Sequence, residues 1–124
     1  MERQKSLQPR LRILLGQATA LGPGKAELLE AIQETGSISA AARSMGMSYR
    51  RAWTLVDNMN TDFVEPVIST NAGGKGGGGA SVTPLGEEVI RRYRTIEEKA
   101  LDSVVDEINE FGVYLAEHAR KSTD

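Results

Sequence analysis

Cysteine is absent from the 124 residues, and the only histidine, His118, lies near the end. Lack of thiols excludes disulfide scaffolds and thiolate metal sites and fits a reducing cytoplasm. A single imidazole leaves a Ser/His/Asp triad or a His-rich zinc site almost no material. No run of about 18 apolar residues exists to span a bilayer, and the opening MERQKSLQPRLR holds no apolar signal core. Paired acids are available at Glu87 and Glu88, but adjacent helical positions diverge and read as a solvated helix start. The expectation is a cytoplasmic protein that is not an enzyme, needs no cofactor or metal, does not enter membranes, and is most simply one folded unit.

What is present is unevenly spread. The net charge is −2, yet residues 1–86 carry nine Lys/Arg against seven Asp/Glu and residues 87–124 carry six against ten. A mildly basic front and an acidic tail suggest that one part meets a polyanion. The stretch GSISAAARSMGMSYRRAW, residues 36–53, sharpens this: it holds three arginines and no carboxylate.

LRILL, residues 11–15, lies between Pro9 and Gly16 and reads as a strand. Leu28, Leu29, Ala31 and Ile32 fall on one face of a helix over about 24–35, ended by Gly36. Ser37 reads as the N-cap of a second helix, about 38–45, stopped by Gly46. Ser48 then caps a third, running to about residue 61, with Ala52, Val56 and Met59 as its inward stripe. Two short helices joined at a glycine turn make a helix-turn-helix, in which Ala40, Ala41 and Ala42 permit close approach. Any helical bundle also wants small residues there. In a helix-turn-helix the start of the second helix faces base edges, and here it carries Ser48, Tyr49, Arg50 and Arg51, with Thr54 one turn on. Trp53 reads as a core or boundary residue, and Tyr49 reads equally as base-facing or packed.

After Pro66, two β-compatible pieces, 67–70 and 80–83, flank a loop in which glycines surround Lys75. The loop reads as a flexible hairpin tip. A phosphate-cradling P-loop is excluded, since Lys75 is followed by Gly76 and Ser69 stands where the first glycine is required. As the wing of a winged helix, Gly74, Lys75 and Gly76 would approach a DNA backbone; as a plain linker, Lys75 would be solvated.

Thr83-Pro84 opens the last element, with Thr83 as N-cap and Pro84 in the first turn. Leu85, Val89, Tyr93, Ile96, Ala100, Val104, Ile108, Phe111 and Leu115 recur every three or four residues. One helix of this length, about 50 Å at 1.5 Å per residue, exceeds what a small domain covers and points to a second copy. Gly112 is a candidate kink, and His118 reads as solvent-facing.

The combination of GSISAAARSMGMSYRRAW, the NMN of residues 58–60, GGKGGGGA and TPLG resembles the N-terminal DNA-binding domain of the ModE family of molybdate-responsive transcription regulators, over nearly the whole chain. The same elements resemble, more loosely, the LysR-type winged helix. The resemblance implies a dimer on an operator palindrome, with the third helix in the major groove and the wing beside it. It also implies small β-barrel domains that bind molybdate. The chain stops at Asp124 and holds no stretch with the strands and the basic, serine-rich loop of such a site, so molybdate binding by it is not expected; a naturally short protein and an excised domain both fit.

The expected architecture is thus mostly α with a small β-hairpin wing: a winged helix-turn-helix with an N-terminal strand over 1–83, then a long dimerisation helix over 84–121. The expected partners are double-stranded DNA and a second copy. DNA-facing candidates are Ser37, Ser39, Arg43, Ser48, Tyr49, Arg50, Arg51, Thr54, Gly74, Lys75 and Gly76. Dimer-interface candidates are Leu85, Val89, Tyr93, Ile96, Ala100, Val104, Ile108 and Phe111. The competing reading is a dimeric protein-interaction module that keeps the fold without binding DNA.

Overall fold

The computed structural model describes residues 11–15, 19–71 and 79–120. Strands β1 (Ile13–Leu15) and β2 (Thr19–Leu21) pair antiparallel, with Ile13 opposite Leu21. The N-terminal strand expected from LRILL is therefore half of a hairpin.

Helix α1 (Pro23–Thr35) begins with proline in its first turn and ends at Gly36, whose φ of 72° is the left-handed conformation that glycine adopts without a Cβ penalty. Helix α2 (Ile38–Met45) is capped by Ser37, whose hydroxyl accepts from the Ala40 N–H at 3.0 Å. Gly46, with φ 70°, turns the chain, and the Met47 N–H donates back to the Ala42 carbonyl at 3.0 Å. Helix α3 (Tyr49–Asp62) starts at Ser48, which accepts from the Arg51 N–H at 3.0 Å. Each cap satisfies one of the backbone donors that a helix start leaves open. The core forms where these helices face one another: Leu28, Leu29, Ile32, Ala41, Ala52, Val56 and Met59 are buried. Ala41 and Ala52 are fully enclosed, which fits close approach of α2 and α3.

Strands β3 (Ile68–Thr70) and β4 (Ala80–Val82) form the second antiparallel hairpin, with Ser69 opposite Ser81. The Ala80 N–H donates to the Gly36 carbonyl at 2.9 Å, tying β4 to the turn after α1.

Helix α4 (Pro84–Ser103) is docked by the sequence TPLG. Thr83 accepts from the Gly86 N–H at 3.0 Å, donates its hydroxyl to the Pro66 carbonyl at 2.8 Å, and gives its own N–H to the Val67 carbonyl at 3.0 Å. Gly86 is buried against the same carbonyl. Farther along, Tyr93 is enclosed and its hydroxyl donates to the Leu11 carbonyl at 2.6 Å. Arg94 forks onto Glu30 of α1 at 2.6 and 3.1 Å and also reaches Glu97. These two carboxylates hold the guanidinium pKa above its ordinary value, with the Glu30 hydrogen bond the largest cause.

The single long helix expected over 84–121 is divided. Val104, with φ −126° and ψ 18°, leaves the helical region, and α5 (Val105–Phe111) follows, then 3-10 turns at Gly112–Tyr114 and Glu117–Arg120. Consecutive β-branched residues at 104 and 105 and a serine whose hydroxyl bonds the Ala100 carbonyl at 2.8 Å disfavour continuation there. His118 is exposed, as expected.

Candidate nucleic-acid interface

Three side chains of the first turn of α3 leave the fold outward. Tyr49, Arg50 and Arg51 are all exposed, while Ala52, Val56 and Met59 turn inward. Thr54 is exposed on the same outer face, and its hydroxyl donates to the Arg50 carbonyl at 3.1 Å, so its proton is committed within the helix. Ser48 is occupied in the opposite sense: as the cap its oxygen accepts, so its O–H and a second lone pair remain as its outward chemistry.

On α2, Ser37 and Ser39 share a hydroxyl–hydroxyl hydrogen bond of 3.1 Å, and Arg43 lies one turn beyond Ser39, exposed. The start of α2 and the start of α3 converge. Ser37, Ser39, Tyr49, Trp53, Thr70 and Asn71 line a shallow concavity of about 290 Å³ between the helix pair and the base of the second hairpin. Of the residues proposed from sequence, Ser37, Ser39 and Tyr49 are thus brought together. Gly74, Lys75 and Gly76 lie outside the described residues.

The arginines divide into two populations. Arg91 and Arg92 both pair with Glu88, and Arg94 pairs with Glu30 and Glu97. Among the described residues, no carboxylate pairs with Arg43, Arg50 or Arg51. An exposed ion pair is worth little to stability, so the distinction is in the surface: the arginines of α4 are already neutralised, and those of α2 and α3 are not.

Asn60, quoted above only as part of the NMN stretch, is a positioning residue whose role the sequence did not show. From the last turns of α3 its Oδ1 accepts the Val67 and Ile68 N–H groups at 2.8 and 3.1 Å, and its Nδ2 donates to the Ile68 carbonyl at 3.1 Å. One amide therefore locks α3 to the start of β3. Asparagine is unfavourable inside a helix, and an Asn between Met59 and Thr61 was the available signal. Asn60→Ala leaves two backbone donors unpaired and is expected to cost about 2–6 kcal/mol at about 1–3 per orphaned group. Chemical denaturation checks it, with Asn60→Asp, which keeps both acceptor contacts, losing less.

The dimer candidates are split by burial. Val89 and Tyr93 are enclosed within the protomer's own fold, and Leu85 packs against the same core. Val89 and Tyr93 therefore offer little surface to a partner, because α4 packs on α1 and β4. Ile96, Val104 and Phe111 are exposed, Phe111 by 63%, and Ala100 and Ile108 are half-buried. Val105, Val113 and Tyr114, not singled out from sequence, are exposed beside them. Among the described residues, no cluster of three or more His, Cys, Asp or Glu is placed to hold a metal ion, and no helix is long and apolar enough to cross a membrane.

No protein-family model matches the chain. Individual proteins do. It is 51% identical over 77 residues to the molybdenum-pterin-binding protein MopB of Rhodobacter capsulatus, covering 62% of this chain and 28% of that protein. It is 42% identical over 100 residues to the transcriptional regulator ModE of Yersinia pestis, covering 78% of this chain and 38% of the relative. It is 36% identical over 100 residues to the DNA-binding transcriptional dual regulator ModE of Escherichia coli K12, with the same coverage of 78% and 38%. The chain spans about a third of the length of the curated relatives it matches.

Proposed function

Because this chain belongs to the ModE family of transcriptional regulators, we propose that it is a sequence-specific DNA-binding regulator that grips duplex DNA as a homodimer in the cytoplasm. The observation that carries this is the exposed set Arg43, Arg50 and Arg51, which have no ion pair among the described residues, whereas the α4 arginines are all paired. Unpaired arginines release counterions on meeting phosphates and supply affinity. Ser48, Tyr49, Arg50 and Arg51, at the start of α3, are the base-reading set, with the Arg forks suited to guanine O6 and N7. Ser37, Ser39 and Thr54 border them, and the glycine loop around Lys75 supplies the wing contact to the DNA backbone. Asp57, exposed one turn past Thr54, repels phosphate and limits reading to the first turns of α3.

Pairing of two copies is supported by the apolar surface at the chain's end, where Ile96, Val104, Val105, Phe111 and Tyr114 are exposed. Such a patch on a soluble surface marks a contact site. Two protomers joined there would set two α3 helices about one DNA turn apart. Replacing Ile96 and Val104 by Lys is expected to yield monomers, read as a halved mass in light scattering; an intact dimer would move the interface elsewhere. We propose no molybdate site within residues 1–124.

Fluorescence anisotropy against the DNA upstream of the protein's own gene and against a scrambled duplex, across a salt series, tests the reading. Tight, steeply salt-dependent binding that prefers one duplex is expected. Absence of binding at low salt would overturn it in favour of a protein-interaction module.

A further inference from the structure

Tyr49 is an unusual residue to find at the outer start of α3. It is 55% exposed, its hydroxyl has no hydrogen-bond partner among the described residues, and its ring is nonetheless not a free rotor. Trp53, one helical turn on, meets it edge to face, with ring centroids 6.2 Å apart and planes at 78°. Trp53 itself is half-buried and packed against the core. The chain of support therefore runs from core to Trp53 to Tyr49, and it ends in an apolar ring held at the rim of the concavity between α2, α3 and the hairpin base. Aromatic pairs prefer this T-shaped arrangement, so the contact selects a narrow range of Tyr49 orientations.

A phosphate seat would not call for that construction. Arg50 and Arg51 stand beside it for charge, and a neutral ring held firm gains most from apolar contact. In the major groove the one apolar group on a base edge is the thymine C5 methyl. We infer that Tyr49 recognises a thymine methyl in each half-site and that Trp53 is the positioning residue that holds it there. This rests on the reading of the protein as a sequence-specific DNA binder.

The test begins with a duplex selected by the 124-residue chain from a randomised library. Each thymine of the selected half-site is then replaced in turn by deoxyuridine, which removes the methyl and keeps the pairing. Removing one buried methyl at about 0.8 kcal/mol corresponds to roughly fourfold weaker binding. One thymine per half-site is expected to show that loss with wild-type protein, and the loss is expected to vanish in Trp53→Leu, which keeps core contact but offers no aromatic face. Trp53→Phe, retaining a ring, is expected to preserve part of it. The salt slope of both variants should match wild type, because the phosphate contacts are elsewhere. A merely structural Trp53 would weaken binding to thymine and deoxyuridine duplexes equally, and that result overturns the positioning role. A selected duplex with no methyl-sensitive thymine overturns the recognition itself with the protein unaltered, leaving sequence-specific binding intact. Selection of no preferred duplex overturns both.

Discussion

Alanine at both Arg50 and Arg51 is expected to lower affinity for a preferred duplex by about 100-fold or more, with the melting temperature nearly unchanged. The magnitude follows from about 1–3 kcal/mol for each arginine contact to a base edge. Stability is spared because both side chains are exposed and have no ion pair among the described residues, and surface changes of that kind usually stay within about 0.5 kcal/mol. The two contributions separate by salt. Each lost phosphate contact makes the slope of log affinity against log salt shallower by about one unit, whereas a lost base contact reduces preference at one position and leaves the slope. Anisotropy on matched and mismatched duplexes reads both. Full retention of affinity would mean that α3 is not the reading helix, and attention would pass to the acidic, apolar end of the chain as a surface for a protein partner.

Gly86→Ala is expected to be the most damaging single-methyl change to the fold. A Cβ there would stand 2.3 Å from the Val67 carbonyl oxygen and 2.6 Å from Val82 Cγ1. The valine methyl can rotate away, but the carbonyl is fixed by the Thr83 N–H it accepts at 3.0 Å. Relief requires α4 to lift from β3, loosening Thr83 from Pro66 at the same time. Overpacking of this kind costs about 1–3 kcal/mol and occasionally more; placed at about 3 kcal/mol, it lowers the melting temperature of a domain this size by about 10 °C or more. Thermal unfolding followed by circular dichroism checks it. A shift of only a degree or two would show that α4 does not sit as tightly as described.

The local signals were legible in the sequence. Ser37, Ser48 and Thr83 cap the helices expected of them, and Gly36 and Gly46 take the left-handed conformation that ends α1 and α2. These features depend on residues three or four positions apart, which a linear reading captures. What escaped depends on distant partners. Three-residue β2 is too short to show alternation, and its identity comes from pairing with β1. Asn60 finds its partners seven and eight residues away across a turn. Tyr93 and Ile96 belong to one apolar series, yet one is enclosed by the protomer and the other is not, because periodicity marks a face without saying what covers it. The break at Val104 had no glycine or proline to announce it.

The hydroxyl of Tyr93 and the guanidinium of Arg94 join residues 82 and 64 positions apart, whereas α1, α2 and α3 are linked by turns at single glycines. Closing a long loop costs entropy before its contacts return anything, so topology divides the order of assembly. The three-helix unit is the part able to form from neighbouring segments, and the docking of α4 against Leu11 and Glu30 is expected on the later side of the barrier. Weakening those two ties therefore acts mainly on how fast the native protein opens, and only slightly on how fast it forms.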